Sequence, residues 1–171
     1  MEWINTTGGP LICAEKHVAA NWRGANGLST GGVARLTTDY DRACATAEYL
    51  EVIRCGAANV LVLGDEPLQS AFVPTDTGLF IARWTYLKSN QDVNLILPAS
   101  IADASEISDR IAFQIEQGDL KLFDSALQGA DVITDSTGAH IAPGLYSVTT
   151  EKLELKRIFS FLIHRFVKVE N

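Results

Sequence analysis

Four consecutive apolar residues, Val60-Leu61-Val62-Leu63, are cut off by Gly64-Asp65-Glu66-Pro67, and no other feature constrains the fold as strongly. Side chains along a strand point alternately to opposite faces, so a strand half-exposed to water alternates apolar and polar residues. A short unbroken apolar run closed by a turn instead fits a strand covered on both faces. The 171 residues, 47% of them apolar and 20% charged, supply enough material for such a core without disulfides or a metal.

The segments around this run read mostly as further strands. Trp3-Ile4-Asn5 and Leu11-Ile12-Cys13 are expected as two short strands around a turn at Thr6–Pro10. His17 to Trp22 suits a short helix, and Gly24 to Gly32 a loop. Thr38 begins Thr38-Asp39-Tyr40-Asp41, N-cap chemistry for a helix carrying Arg42 to Ala45. Tyr49–Arg54, Asn59–Leu63 and Leu79–Trp84 are expected as a meander, with a shorter strand at Ala71–Val73. A helix over Asn90–Ile101 is interrupted by Pro98. Beyond it Ile111–Ile115, Leu120–Phe123, Ile141 with Leu145–Val148, and Phe159–Val169 read as strands. In Leu153–Val169 a helical stripe competes with alternation, and the β-branched and aromatic enrichment favours strand. The expected fold is α+β and β-rich: antiparallel sheets with a few short helices, in one domain 1–171 with lobes 1–103 and 106–171.

The net charge of −7 argues against direct nucleic-acid binding, which calls for a basic face, and suits a basic partner. The acid concentrates between Asp103 and Asp135, whereas the chain from Glu151 onward is richer in Lys and Arg. Cys13, Cys44 and Cys55 form no CxxC pair. The start Met1-Glu2-Trp3 is unlike a secretory signal, and no apolar run approaches the roughly 20 residues that span a bilayer. Reduced thiols and a cytoplasmic location are expected, with no membrane association.

Catalytic patterns are scarce. His17, His140 and His164 lie far apart with no HxxxH or His–Cys cluster, so no metal is expected. No phosphate-binding glycine motif is present, and no cofactor is expected. Cys13 and His17 share a spacing of four, but Cys13 sits in the apolar run Leu11–Ala14 and reads as a buried thiol. Asp65-Glu66 reads more simply as a turn than as an acid–base pair.

Several segments taken together resemble a family of immunity proteins from bacterial polymorphic toxin systems, immunity family twenty-one. They are Trp3-Ile4 with Gly8-Gly9-Pro10-Leu11; Trp22-Arg23-Gly24; Thr38-Asp39-Tyr40-Asp41-Arg42-Ala43-Cys44; Val60 to Pro67; and Arg83-Trp84. Leu122 to Ala126, Gly144 to Val148 and His164-Arg165 extend the likeness. The resemblance implies a non-enzymatic protein that binds a cognate toxin domain and covers its active site, with no catalytic residue to carry over. Acidity suits a basic toxin such as a nuclease. Asp39, Tyr40, Asp41, Asp65 and Glu66 are the first contact candidates. Capping outweighs contact for Asp39, turn and contact stand level for Asp65 and Glu66, and Trp22 is open between core and interface. The rival readings are a small hydrolase using dispersed carboxylates and a β-rich regulatory protein-binding module.

Overall fold

Two antiparallel sheets pack face to face, each with a second apolar cluster on its outer side. The computed structural model describes residues 1–28, 38–64, 66–76, 78–89, 91–108, 110–132 and 134–170. In chain order the elements are β1 (Leu11–Glu15), α1 (Lys16–Ala19), α2 (Asp39–Cys44), β2 (Leu50–Cys55) and β3 (Ala58–Leu63). Then come β4 (Ser70–Thr75), β5 (Gly78–Leu87), α3 (Val93–Ser100), β6 (Ser105–Glu106), β7 (Ile111–Ile115) and β8 (Asp119–Asp124). The chain ends with α4 (Gly129–Val132), β9 (Ser136–His140), β10 (Gly144–Leu155) and β11 (Phe159–Lys168). One sheet runs β2-β3-β1-β8-β9 and the other β4-β5-β11-β10-β6, with β7 also paired to β10.

The run Val60–Leu63 is covered on both faces, as its composition predicts. Leu61 and Leu63 point into the inter-sheet core with Phe72, Ile81, Phe113 and Phe166. Val60 and Val62 point outward, against Val18, Ala19, Trp22 and Ala43 from the helical layer. The second sheet repeats the arrangement: Phe80, Phe161 and Ile163 face outward into a cluster with Leu97 and Ile101. The central strands of each sheet are thereby covered on both faces, and this burial is the principal stabilising term.

Several expectations need correction. The strands from Tyr49 to Trp84 do not form one meander, because β2–β3 is a hairpin of the first sheet and β4–β5 a hairpin of the second. β3 is flanked by β2 on one edge and β1 on the other, so no edge is left for a following strand. Near the N-terminus Ile4 makes only an isolated bridge to Ser70 instead of a strand. Ile141 falls outside any strand, while Ser136–His140, poor in β-formers, pairs with β8 as β9. Each sheet takes strands from both halves of the chain.

Other expectations hold. The C-terminal ambiguity resolves as strand: β10 and β11 form a long hairpin with Arg157 at φ 65° in its turn. The helix expected near Asn90–Ile101 is present, but the interruption expected at Pro98 does not occur: α3 runs through it and passes into a 3-10 turn at Ile101–Asp103. Asn90 and the 29–32 part of the expected glycine loop lie outside the described residues.

Thr38 caps α2 in full: its hydroxyl accepts from Asp41 N at 3.0 Å, and the Asp41 carboxylate accepts from Thr38 N at 3.2 Å. Thr38→Ala should cost about 1 kcal/mol in urea unfolding. No loss would show that the packing of Ala43 alone holds the helix.

Candidate partner-binding site

The register of β1 against β3 builds one corner of the molecule. Leu11 lies opposite Leu63 in an antiparallel pair, so the residues just before β1 must sit beside those just after β3. Gly8-Gly9-Pro10 therefore meets Gly64 and Pro67, and the C-terminal end of α2 closes the third side. The three segments line a cleft of about 240 Å³ that includes Gly9, Pro10, Ala43, Cys44, Gly64 and Pro67. That volume is small beside the roughly 300–1,000 Å³ of ordinary ligand pockets, and fits a protruding side chain of a partner better than a metabolite.

The glycines are dictated by close approach. A Cβ at Gly64 would collide with the Glu48 carbonyl oxygen, and one at Gly9 with the Tyr40 ring. Gly64 N donates to Tyr49 O at 3.1 Å, which ties the turn to the start of β2. From the second sheet, buried Arg83 donates through Nη1 to Gly64 O at 2.7 Å and through Nη2 to Glu66 O. A guanidinium from the opposite sheet thus holds the turn in place. Glu48 and Glu66 are exposed beside it.

The sequence-predicted contact residues divide by burial. Trp22 is 1% exposed, donates from Nε1 to Ser125 O at 2.9 Å and packs edge-on against Phe123. Asp39 is fully buried, accepts from Arg23 N at 3.0 Å and pairs with Arg42 at 3.5 Å. These two therefore organise the interior, and the surface is left to the others. Tyr40 is partly exposed, and a hydrogen bond with the Cys44 thiol is the first cause that raises its phenol pKa. Asp41 is partly exposed beside its cap, and Glu66 is exposed. Asp65 lies outside the described residues. Tyr40, over Gly9, and Glu66, in the turn between Gly64 and Pro67, border the corner, whereas Asp41 lies in the first turn of α2.

Elsewhere the buried carboxylates are consumed by backbone. Glu15 accepts from Glu116 N, Gln117 N and Gly118 N at 2.9, 2.5 and 2.9 Å. Asp124, within the acidic stretch, is also buried and accepts from Thr7 N at 2.6 Å and from Ala126 N at 2.9 Å. Burial first, then the Glu15 charge, raises the Cys13 thiol pKa far above its ordinary value; burial, then Asp39, pushes Cys55 up to about 11. Both are protonated at neutral pH, which removes the nucleophile from a Cys13–His17 pair.

Two features escaped the sequence reading. Arg83 was visible only as part of a motif, since nothing local shows which turn it reaches. Glu15, His17 and Glu116 bring one ligand atom each within 4.8 Å of the others. The Glu-x-His spacing was the available signal, but Glu116 arrives from the β7–β8 turn.

Among the described residues no helix is long and apolar enough to cross a membrane. No curated protein and no solved structure matches the chain. The three segments that converge on the corner are among those that carry the family likeness; the family described as Immunity protein 21 matches residues 2–157, and the chain belongs to it.

Proposed function

We propose that this protein binds a cognate toxin domain and neutralises it by covering the toxin's active site, docking through the corner bordered by Tyr40, Glu48 and Glu66. The observation that carries this reading is the convergence of three distant segments on one shallow cleft, held by Arg83 from the other sheet. A surface that bears an aromatic ring, carboxylates and a small cleft has the makings of an interface hot spot. With the net charge of −7, it suits a toxin whose substrate groove is basic, as in a nuclease. The acidic side chains would steer the encounter, and the Tyr40 ring would supply apolar burial at the centre.

The test is co-expression with the toxin encoded beside it, together with a binding measurement on the purified pair. The wild-type chain should rescue growth and form a stoichiometric complex. Tyr40→Ala combined with Glu66→Lys should weaken the complex at least tenfold, about 1.4 kcal/mol, and slow association most at low salt. Wild-type affinity in that double variant would remove the corner from the interface. Failure of the wild type to bind or rescue would overturn the toxin-binding role itself.

One observation favours the hydrolase reading: His17 and Glu116 line a groove of about 790 Å³. Against it, the Glu15 oxygens beside them are already engaged by three backbone N–H groups. Glu116→Gln separates the readings, since protection against the toxin should persist in that variant.

A further inference from the structure

We propose that Glu15, His17 and Glu116 form a binding site for one divalent transition-metal ion, zinc by chemistry, independent of the toxin-binding corner. The three side chains come from different elements. Glu15 ends β1, His17 lies in the single turn of α1, and Glu116 follows β7. One ligand atom from each lies within 4.8 Å of the other two. The convergence follows from a specific linkage: the Glu15 carboxylate takes the N–H groups of Glu116, Gln117 and Gly118, so β1 grips the β7–β8 turn.

A second, independent observation points to a ligand. His17 Nδ1 is buried from solvent and has no hydrogen-bond partner among the described residues. A buried ring nitrogen left unpaired is costly, and natural proteins almost always satisfy it with protein, water or an ion. Two carboxylates stand within reach of this imidazole. A cation among them would take one imidazole nitrogen of His17 as a ligand and offset the adjacent negative charge at once.

The donor set selects the ion. Imidazole nitrogen with carboxylate oxygen suits zinc and its first-row neighbours, whereas calcium and magnesium prefer oxygen alone. Tetrahedral donors around zinc lie roughly 3.3 Å apart, so ligand atoms that now lie within 4.8 Å of one another must draw closer, and the exposed Glu116 side chain has the most room to do so. The three N–H groups on Glu15 leave lone pairs on its oxygens and fix its orientation, the task that outer hydrogen bonds perform around metal ligands. Three protein ligands leave a position open to water or to a donor from a bound molecule. His17 and Glu116 both line the adjoining groove, which gives that position an approach from solvent.

The experiment uses tag-free full-length protein stripped with a chelator, titrated with zinc by calorimetry and with Co²⁺ by visible absorption. The expected result is one equivalent of zinc, the d–d bands of nitrogen–oxygen-ligated Co²⁺, and no displacement by equimolar Ca²⁺. His17→Ala and Glu116→Gln should each weaken zinc binding at least tenfold. His140→Ala, which removes the exposed histidine paired with Asp119, should leave it unchanged. Glu15 is not varied, because its loss would release the β7–β8 turn; circular dichroism of the metal-free variants confirms that they fold. Substoichiometric binding, competition by Ca²⁺ at equal concentration, or wild-type affinity in His17→Ala would each overturn the proposal.

Discussion

Arg83→Met should destabilise the protein by about 3 kcal/mol, because two carbonyls lose a charged donor while the side-chain volume is largely retained. β5 alternates Leu79, Ile81 and Arg83 toward the inter-sheet space, so a guanidinium occupies a position where the pattern would put a third aliphatic residue. It is fully buried, and its bonds run to Gly64 O and Glu66 O across the gap between the sheets. Burying a charge carries a desolvation cost that such bonds only partly offset, so removing the whole group is less harmful than the bonds suggest. Met leaves both carbonyls without their donor. Arg83→Ala adds a cavity and should reach about 4 kcal/mol. Urea unfolding at pH 7.5 measures both. The same substitutions should weaken toxin binding in parallel, since the turn they release carries Glu66. An Arg83→Met protein as stable as wild type would mean that water satisfies the turn, and that the strut across the sheets is not needed.

The contrast between Arg83 and Val60–Leu63 shows what a one-dimensional reading can reach. An unbroken apolar run announces its surroundings through its own composition, and the structure covers it on both faces as expected. The Thr38–Asp41 capping box is legible for the same reason, since both halves of the interaction lie within four residues. Arg83 is read only by knowing that β4–β5 belongs to the other sheet, a fact decided by β1 taking the free edge of β3. That competition for an edge involves residues some fifty positions apart, and local patterning does not encode it. The site followed the same rule. Asp39 and Trp22 sit beside a glycine-rich loop, yet both are drawn inward: Trp22 by Ser125 O, and Asp39 by Arg23 N as well as by its neighbour Arg42. Glu66 stays outside because Arg83 takes only its backbone carbonyl, whereas Tyr40 lies over Gly9 and stays partly exposed.

The acid limb of the stability curve should belong largely to His164. The residue is fully buried on β11, with Nδ1 at 3.0 Å from Thr150 Oγ1 on β10 and no partner on Nε2 among the described residues. Burial first, and then the neighbouring Arg83 charge, hold its pKa well below the ordinary 6.5. Above pH 6.5 the imidazole is neutral in both the folded and the unfolded chain, and His164 adds no slope. Below 6.5 the unfolded chain takes up a proton that the folded one refuses, so stability falls as the pH drops toward the depressed folded value. The slope approaches about 1.4 kcal/mol per pH unit once the unfolded imidazole is charged, and it ends at the depressed folded value. His164→Asn keeps a hydrogen-bonding side chain near Thr150 but cannot titrate, so its stability should decline less steeply below pH 6.5. Arg83→Met removes the nearby cation and should flatten the wild-type slope in part, because the folded pKa then rises toward the unfolded one. Parallel pH curves for wild type and His164→Asn would assign the acid sensitivity to carboxylates instead, and a slope unaltered by Arg83→Met would leave burial as the sole cause of the shift.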